Sequence, residues 1–233
     1  MFGFIPLEIE QRVKNGLVPA ANALLIIANV VMFVIIRLTG WCWPVGPGSG
    51  LLSIVLYGFC HVSFWHLLIN MWTLWVFGNP VNRRLGNGCY LLAYLGTIVA
   101  LGMLARICYF GDVLGASGGI FAVIAIAMFL LPAARLVLCY WAIFPFSLVP
   151  AVIRPPKYGI SWFIYAGTCR VKMLWCLALV VLLELISLFV AIWSAYATVW
   201  NLGHLLGMLC GVAVVLMLPS RITMRTRAAF DSF

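Results

Sequence analysis

The chain has 233 residues, of which 66% are hydrophobic and only 8% are charged, and its formal net charge is +9. Roughly 25% of the residues in an average soluble domain are charged, so this composition excludes an ordinary soluble protein and indicates an integral membrane protein. The basic residues are scattered between apolar segments, which argues against a nucleic-acid partner and agrees with the positive-inside rule for membrane proteins.

Six apolar segments are candidates for membrane spans, since a crossing helix needs about 20 residues. In chain order they are Leu17–Leu38, Ser63–Asn79, Cys89–Ile107, Ser117–Leu131, Met173–Tyr196 and Asn201–Leu218. Each is expected to be helical because lipid offers the backbone no hydrogen-bond partners. With the N-terminus in the cytoplasm, most Lys and Arg residues fall on the inner side. We therefore predict an all-α membrane protein, a six-transmembrane-helix bundle with both termini cytoplasmic.

The chain is predicted to form one membrane domain over residues 17–219, preceded by a short cytoplasmic segment, 1–16, and followed by a short basic tail, 220–233. The first apolar run is too long for the apolar region of a signal peptide, so we expect no cleaved leader. Residues 39–60 form an outer loop rich in Trp, Gly and Pro, and residues 132–172 form a long inner connection. The tryptophans of the outer loop are expected at the membrane interface.

Within the inner connection, Arg135–Val152 is apolar enough to resemble a seventh span. A crossing there would invert the last two spans and place Arg221, Arg225 and Arg227 outside, against the charge rule. Prolines inside this region also disfavour a continuous helix. We therefore expect an interfacial or partly re-entrant segment here.

The eight cysteines are dispersed along the chain, without a C-x-x-C pair. Free cysteine behaves as a small hydrophobic residue, and we interpret most of these side chains as helix packing. Cys42 and Cys60, both in the outer loop, are the one pair that we would test as a disulfide.

Four polar side chains in three predicted spans lie near the outer face of the membrane. His66 and Asn70 are four residues apart and share one helix face. Ser117 begins the fourth span, and His204 lies just inside the outer end of the sixth. Because polar and ionisable groups are rare in lipid, their shared depth indicates a functional site.

Ser117 has an unusual position for a serine in a membrane helix. The fourth span has about 15 residues, roughly 22 Å, so its N-terminus is expected below the outer surface of a ~30 Å hydrocarbon core. Unpaired N–H groups at a helix N-terminus favour developing negative charge. A serine becomes an effective nucleophile when a neighbouring imidazole takes its proton, so we predict that Ser117 and His204 form a nucleophile–base pair.

Glycines flank both members of this pair. The set comprises Gly115, Gly119, Gly203, Gly207 and Gly211. Small residues spaced four apart let two helix backbones approach closely in a membrane. We predict that these glycines bring Ser117 within hydrogen-bond reach of His204.

Each feature taken alone also has a structural explanation. A serine in a membrane helix often donates a hydrogen bond to a carbonyl one turn earlier. A single His61, His66 or His204 could bond across helices as packing, and glycine repeats by themselves report only close packing. The agreement in depth among four polar groups favours a functional site over packing.

Three motifs, HVSFWHLLINM, GASGGIFA and GHLLGMLCG, resemble in order and spacing those of the second, fourth and sixth helices of the rhomboid intramembrane serine proteases. The resemblance covers nearly the whole chain. It implies a Ser–His dyad, with Ser117 as the nucleophile and His204 as general base and then acid. It also implies that His66 and Asn70 stabilise the oxyanion, and that the reaction needs no cofactor or metal.

The reaction implied by the resemblance is hydrolysis of a peptide bond in or beside the transmembrane helix of a protein substrate. With the predicted topology, we expect a multi-pass protein of the cell membrane, plasma or inner, whose active site opens to the non-cytoplasmic side. The physiological substrate and the oligomeric state do not follow from the sequence.

The chain departs from the family pattern at several positions. Asn82 stands where many rhomboids have glutamate, Phe121 stands where some have tyrosine, and the Trp–Arg pair common in the first outer loop is not evident. These differences bear on loop anchoring and stability more than on chemistry. Asp112 has no spacing that ties it to His204 as a third triad member. Glu184, in the middle of the fifth span, is expected to be protonated or hydrogen-bonded to another helix.

Two other classes of function stay open from the residues alone. A non-catalytic rhomboid-like protein would bind or escort client helices, but such proteins lack the serine or the histidine, and this chain has both. A small-solute transporter would carry its buried polar groups at the middle of the membrane, whereas here they lie near one face.

Overall fold

The computed structural model describes residues 2–10, 18–108, 113–143, 164–193 and 199–219, and it is predominantly helical. The helices are α1 (Ala20–Thr39), α2 (Ser53–Leu56), α3 (Phe64–Thr73), α4 (Asn79–Leu85), α5 (Asn87–Ile107), α6 (Ser117–Leu130), α7 (Met173–Trp193) and α8 (Val199–Met217). A 3-10 turn, Tyr57–Phe59, extends α2. A π-helical turn, Leu74–Gly78, joins α3 to α4 without a break.

Each of the six predicted apolar segments is helical where the structure describes it, with bounds that differ from the prediction by a few residues. Three helices, α1, α5 and α7, are long and apolar enough to cross a membrane alone. Ser53–Phe59 and Phe64–Leu85 form a fourth candidate, a pair bent by 90°. Ser117–Leu130 and Asn201–Met217 are shorter apolar helices. The described residues therefore contain three or four candidate spans.

The ends and faces of α1 follow from its sequence. Pro19, which cannot donate a backbone hydrogen bond, precedes the helix. Gly40 ends it in the left-handed conformation, φ 73°, and its N–H donates to the carbonyl of Ile36 at 2.8 Å. Asn22 and Asn29 are fully buried while many apolar side chains of α1 are exposed. Polar groups thus point into the protein and apolar groups point outwards, as lipid requires.

The outer loop, residues 39–60, is partly helical because it contains α2 and the 3-10 turn. Val45 forms an isolated antiparallel bridge with Val113, with N–O distances of 3.1 and 2.8 Å. This bridge ties the loop to the segment that leads into α6. Cys42 and Cys60 are both free thiols, so no disulfide joins them in this structure.

A three-stranded antiparallel sheet corrects the all-α prediction. Its strands are β1 (Phe2–Glu10), β2 (Arg135–Ile143) and β3 (Ile164–Lys172). β2 is central, and Arg135 lies opposite Glu10 on one side and Lys172 on the other. On the sheet, Arg170 Nε donates to both carboxylate oxygens of Glu10, at 2.8 and 3.0 Å. The Trp72 indole N–H donates to the carbonyl of Pro6 at 2.7 Å, which links β1 to α3.

The strands lie in two segments for which the sequence analysis predicted no β-structure. β1 lies in the segment 1–16, and β2 and β3 lie in the inner connection 132–172. The β2 sequence, RLVLCYWAI, contains aromatic and β-branched residues, but periodicity cannot distinguish a short apolar strand from a helix. Of the predicted interfacial segment Arg135–Val152, residues 135–143 are this strand and residues 144–152 lie outside the described residues. So does the predicted tail, 220–233.

α6 is the central helix of the bundle. Nearly all of its side chains are buried, and it contacts α3, α5, α7 and α8. Its packing against α8 depends on glycine, because a Cβ atom at Gly207 would collide with the backbone of Gly118, and one at Gly211 with that of Ala122. The two helix backbones are therefore in direct contact over two turns of α8.

A buried hydrogen-bond network joins α1 to the π-helical turn, α4 and α5. The Asn22 side-chain amide donates to the carbonyl of Leu74 at 3.0 Å and to Asn79 Oδ1 at 2.8 Å. The Tyr90 hydroxyl donates to Asn22 Oδ1 at 2.6 Å, and the backbone N–H of Asn22 donates to Asn82 Oδ1 at 3.0 Å. Asn82, which stands where many rhomboids have glutamate, thus anchors this junction while fully buried.

Candidate active site

Ser117 is the first residue of α6, and the chain reaches it through a constrained turn. Gly115, two residues earlier, has a φ of 112°, a conformation that side chains other than glycine rarely adopt. Its N–H donates to the carbonyl of Tyr57 at 2.9 Å. As the first residue of α6, Ser117 lies among the backbone N–H groups that have no partners within the helix.

Ser117 also lies on the wall of a small, partly open cavity between α5, α6 and α8. Gly118 lines it beside Ser117, and Leu202, Gly203 and Leu206 line it from α8. The remaining lining is almost wholly apolar. A cavity with apolar walls and a few polar groups is typical of a site that binds an apolar ligand such as a peptide segment.

His204, on α8, lies next to the helix that carries Ser117. Its imidazole stacks on the ring of Phe121, with 4.1 Å between the ring centroids and 7° between the planes. Ser117 and Phe121 are four residues apart on α6 and so share one helix face. Ser117 is thus one helical turn from the side chain on which the imidazole is stacked.

Four of the five predicted packing glycines lie at three different interfaces. Gly207 and Gly211 contact α6, but the residue that they approach near the serine is Gly118. A Cβ at Gly119 would instead meet Tyr94 of α5 at 2.9 Å, and one at Gly115 would meet the His66 ring of α3, also at 2.9 Å. A Cβ at Gly203 would have no heavy atom within 4 Å. Gly119 therefore faces α5, Gly115 in the preceding turn faces α3, and Gly118 is the glycine next to Ser117 that faces α8.

His66 lies in the first turn of α3 and is held by a helix cap. Ser63 precedes the helix, and its hydroxyl accepts a hydrogen bond from the backbone N–H of His66 at 3.1 Å. The His66 ring lies beside Gly115 and makes an edge-to-face contact with His61, with 5.0 Å between centroids. His66 therefore lies next to the turn that leads into Ser117.

Asn70 follows His66 by one turn of α3 and is 7% exposed. Its side-chain nitrogen has no hydrogen-bond partner among the described residues. A buried N–H donor without a partner is destabilising, and each such case in a folded protein needs an explanation.

Glu184 is the main feature of this region to which the sequence assigned no catalytic part. Its Oε1 lies 3.1 Å from His204 Nδ1, and its Oε2 accepts a hydrogen bond from the Asn201 amide at 3.1 Å. Of the two alternatives expected for Glu184, protonation or a hydrogen bond to another helix, the structure shows the second, since α7 carries Glu184 and α8 carries both partners. The sequence cue was a carboxylate inside an apolar helix, but that cue does not identify the partner. Asp112, the other carboxylate considered for His204, lies outside the described residues.

None of the described side chains forms a group of three or more His, Cys, Asp or Glu residues that could hold a metal ion. The side chains that the structure places in this region supply a hydroxyl, an imidazole, a carboxylate and amide donors. This set can perform acyl transfer, in which an activated hydroxyl attacks a carbonyl carbon and N–H donors stabilise the resulting oxyanion.

A family model described as the rhomboid domain matches residues 48–221, a range that includes α3, α6, α7 and α8. The chain belongs to the rhomboid family. Members of this family are in general serine intramembrane proteases. The rhomboid match therefore extends over every helix that carries a candidate site residue.

Several curated rhomboid proteins are similar to parts of the chain. Rhomboid protein 1, mitochondrial, of Saccharomyces cerevisiae is 35% identical over 94 residues, which are 37% of this chain and 27% of that protein. Presenilin-associated rhomboid-like protein, mitochondrial, of Mus musculus is 31% identical over 108 residues, 43% of this chain and 29% of that protein. The Homo sapiens protein of the same name is 28% identical over 136 residues, 53% and 36% respectively.

These comparisons correct the predicted location of the protein, and they cover only part of each relative's length. The relatives are mitochondrial rhomboid proteins, so the predicted location in a plasma or inner cell membrane is wrong. The positive-inside rule orients a protein in its membrane, but it does not say which membrane that is. The matched segments span only 27% to 36% of the relatives' own length.

Proposed function

We propose that the protein is an intramembrane serine endopeptidase of a mitochondrial membrane that hydrolyses peptide bonds in or beside the transmembrane helices of its substrates. The observation that carries the proposal is the placement of Ser117 on a cavity wall at the N-terminus of α6, one turn from the Phe121 ring that is stacked on His204. Membership of the rhomboid family supports the same reaction.

In the proposed reaction, Ser117 attacks the carbonyl carbon of the scissile bond while His204 takes the hydroxyl proton. His204 then donates that proton to the leaving amine. The carbonyl oxygen becomes an oxyanion, which is stabilised by the first N–H groups of α6 and by side-chain donors from His66 and Asn70. His204 then takes a proton from a water molecule that attacks the acyl carbon, and returns it to the Ser117 oxygen as the ester bond breaks and the carboxylic acid leaves. The reaction needs no cofactor or metal.

The proposed topology has six crossings, with both termini on one side and the active-site cavity opening toward the other. The bent pair of Ser53–Phe59 and Phe64–Leu85 supplies one of them. Ser117–Leu130 has 14 residues, about 21 Å, and so begins inside the hydrocarbon core. Water must reach Ser117 through the cavity.

Cleavage assays on the purified, reconstituted protein test this proposal. A panel of single-span substrates is incubated in liposomes with the wild type, Ser117→Ala, His204→Ala and the double variant. We expect each single variant to abolish cleavage, and the double variant to be no worse, because a nucleophile and its base act as one unit. Full cleavage by Ser117→Ala would refute the proposal.

A matched control separates chemistry from folding in this assay. Thr97 is a buried polar residue of α5 whose hydroxyl donates to the carbonyl of Ala93 at 2.9 Å and is not part of the cavity wall. Thr97→Val also removes a buried hydroxyl and should keep cleavage. Substrates that co-purify with the wild type but are never cut would favour the non-catalytic, client-binding function instead.

A further inference from the structure

Glu184 lies outside the three motifs by which the chain resembles rhomboid proteases. We propose that Glu184 is a positioning residue for His204, so that the proposed dyad is extended to a Ser117–His204–Glu184 unit in which Asn201 holds the carboxylate. This inference rests on the proposed function of Ser117 and His204. It adds a carboxylate from α7 that orients the base.

The contacts of Glu184 are those of an orienting carboxylate. Oε1 lies 3.1 Å from His204 Nδ1, and Oε2 accepts a hydrogen bond from Asn201 Nδ2 at 3.1 Å. Asn201 Nδ2 is in turn 2.8 Å from Ser187 Oγ. Asn201 and His204 are three residues apart on α8, and Glu184 and Ser187 are three apart on α7. The two helices therefore present matching polar faces.

The carboxylate determines which ring nitrogen of His204 carries the proton. An ionised carboxylate only accepts hydrogen bonds, so Nδ1 must be the protonated nitrogen when the imidazole is neutral. Nε2 then keeps its lone pair and can take the proton of a serine hydroxyl. The stacked Phe121 ring restrains the same imidazole from its face, so two contacts define its orientation.

The partly buried surroundings of His204 and Glu184 strengthen the electrostatic interaction between them. The side chains of His204 and Glu184 are 21% and 15% exposed, so water screens the pair only partly. A carboxylate within an otherwise apolar membrane helix is unfavourable unless it is paired, and polar groups in such helices mark functional sites. The competing explanation is that Glu184 only joins α7 to α8 as a structural contact.

Glu184→Gln is the variant that distinguishes the two explanations. In the wild type, Asn201 and His204 both donate to the two carboxylate oxygens. Glutamine has the same shape but only one oxygen, so it can accept from Asn201 only if its NH₂ group faces His204 Nδ1. With the Asn201 amide held as a donor by its contact with Ser187, the imidazole then accepts at Nδ1 and carries its proton on Nε2, which is the wrong tautomer for a base.

The tautomer is measured directly by ¹⁵N NMR of histidine-labelled protein, since the chain has only three histidines. His204→Gln assigns the His204 signals. The experiment is run in the Ser117→Ala background at a pH where His204 is neutral, so that it does not depend on activity. We expect Nδ1–H for Glu184 and Nε2–H for Glu184→Gln. An unchanged tautomer, or Nε2–H already present with Glu184, would overturn the proposal.

Kinetics of the active protein provide the second readout. We expect Glu184→Gln to lower kcat on the order of 10²–10⁴-fold, with KM and melting temperature nearly unchanged. Val180→Ala is the matched control, since Val180 is one turn earlier on α7 and packs against the core without a polar contact to His204. It should lower the melting temperature and keep kcat.

The two readouts separate this inference from the proposed function. If the wild type cleaves no substrate but Glu184→Gln still switches the His204 tautomer, the proteolytic function fails and the positioning of His204 stands. If the wild type cleaves and Glu184→Gln keeps full kcat with an unchanged tautomer, the proteolytic function stands and Glu184 is only a contact between α7 and α8.

Discussion

At the level of a single residue, Asn70 is the side chain whose proposed role is most directly testable. Its side-chain nitrogen is buried and has no hydrogen-bond partner among the described residues, although an unpaired buried donor reduces stability by about 1–3 kcal/mol. His66, one turn earlier, lies against the turn that leads to Ser117. In the proposed reaction, a substrate carbonyl that acquires negative charge beside Asn70 would accept a hydrogen bond from its side-chain amide.

Replacing Asn70 with alanine is expected to affect the transition state more than folding. Removing one oxyanion donor lowers kcat on the order of 10²–10³-fold, and KM should change little because the charge develops only in the transition state. The melting temperature should be unchanged or slightly raised, since an unpaired donor is removed. Cleavage kinetics and thermal unfolding in the same detergent test this.

The control for Asn70 lies on the same helix. Thr73 is half-buried on α3, and its hydroxyl donates to the carbonyl of Ile69 at 2.8 Å, so Thr73→Ala should leave kcat unchanged. A lower melting temperature with normal kcat in Asn70→Ala would assign Asn70 to helix packing. The proposed oxyanion site would then depend on His66 and backbone N–H groups.

At the level of secondary-structure elements, the site depends on how closely α6 and α8 approach. Gly207 contacts the backbone of Gly118, and no flexible side chain lies between them that could move aside. The hydrogen-bond network around Asn22 performs a similar task at another junction, where α1 meets the π-helical turn and α5. At both junctions, direct contacts to main-chain atoms fix the distance between neighbouring helices.

Two glycines one turn apart on α8 provide a direct test of this packing. In Gly207→Ala, the added methyl group overlaps the backbone of Gly118, and overpacking of this kind typically destabilises by about 1–3 kcal/mol. We expect a lower melting temperature and loss of cleavage, because separating the helices moves His204 away from Ser117.

The matched variant on the same helix is Gly203→Ala. A Cβ atom at Gly203 meets no heavy atom within 4 Å, and alanine favours a helix by about 1 kcal/mol over glycine. Its melting temperature should be equal to or above that of the wild type. Equal melting temperatures for Gly207→Ala and Gly203→Ala would show that the approach of α6 to α8 does not limit stability.

At the level of the whole molecule, the proposed depth of Ser117 in the membrane determines the position along the substrate helix at which cleavage is expected. α6 is too short to span the hydrocarbon core, so a catalytic serine at its N-terminus lies nearer one membrane face. A helical peptide bond must also be unwound before its carbonyl can be attacked. Glycine or proline in the substrate helix lowers the free energy needed for that unwinding.

We therefore expect cleavage toward the end of the substrate helix that lies opposite the protein's own termini, after a small residue and close to glycine or proline. Mass spectrometry of both fragments from an oriented substrate in liposomes locates the cut. Replacing the nearby glycine or proline with leucine should slow cleavage, while the same change on the far half of the helix should not. A cut on the side of the termini would contradict the proposed topology.

The sequence by itself was enough to predict the membrane class, the positions of the helices and the local spacing of His66 with Asn70. These properties depend on composition and on contacts within one or two helical turns, and both can be read from a local stretch of sequence. Ser117 was likewise recognisable at the start of a short helix. The prediction that Glu184 bonds to another helix followed from the unfavourable burial of a lone carboxylate.

Only the tertiary structure decided which groups meet. α7 is apolar nearly all round, so no stripe of residues reveals which face turns toward α8, and the Glu184–His204 contact depends on that rotation. The same rotation determines that Gly118 rather than Gly119 faces α8. The sheet pairs Glu10 with Arg135, which lie far apart in the sequence, and a strand of nine residues gives no indication of a partner at that distance.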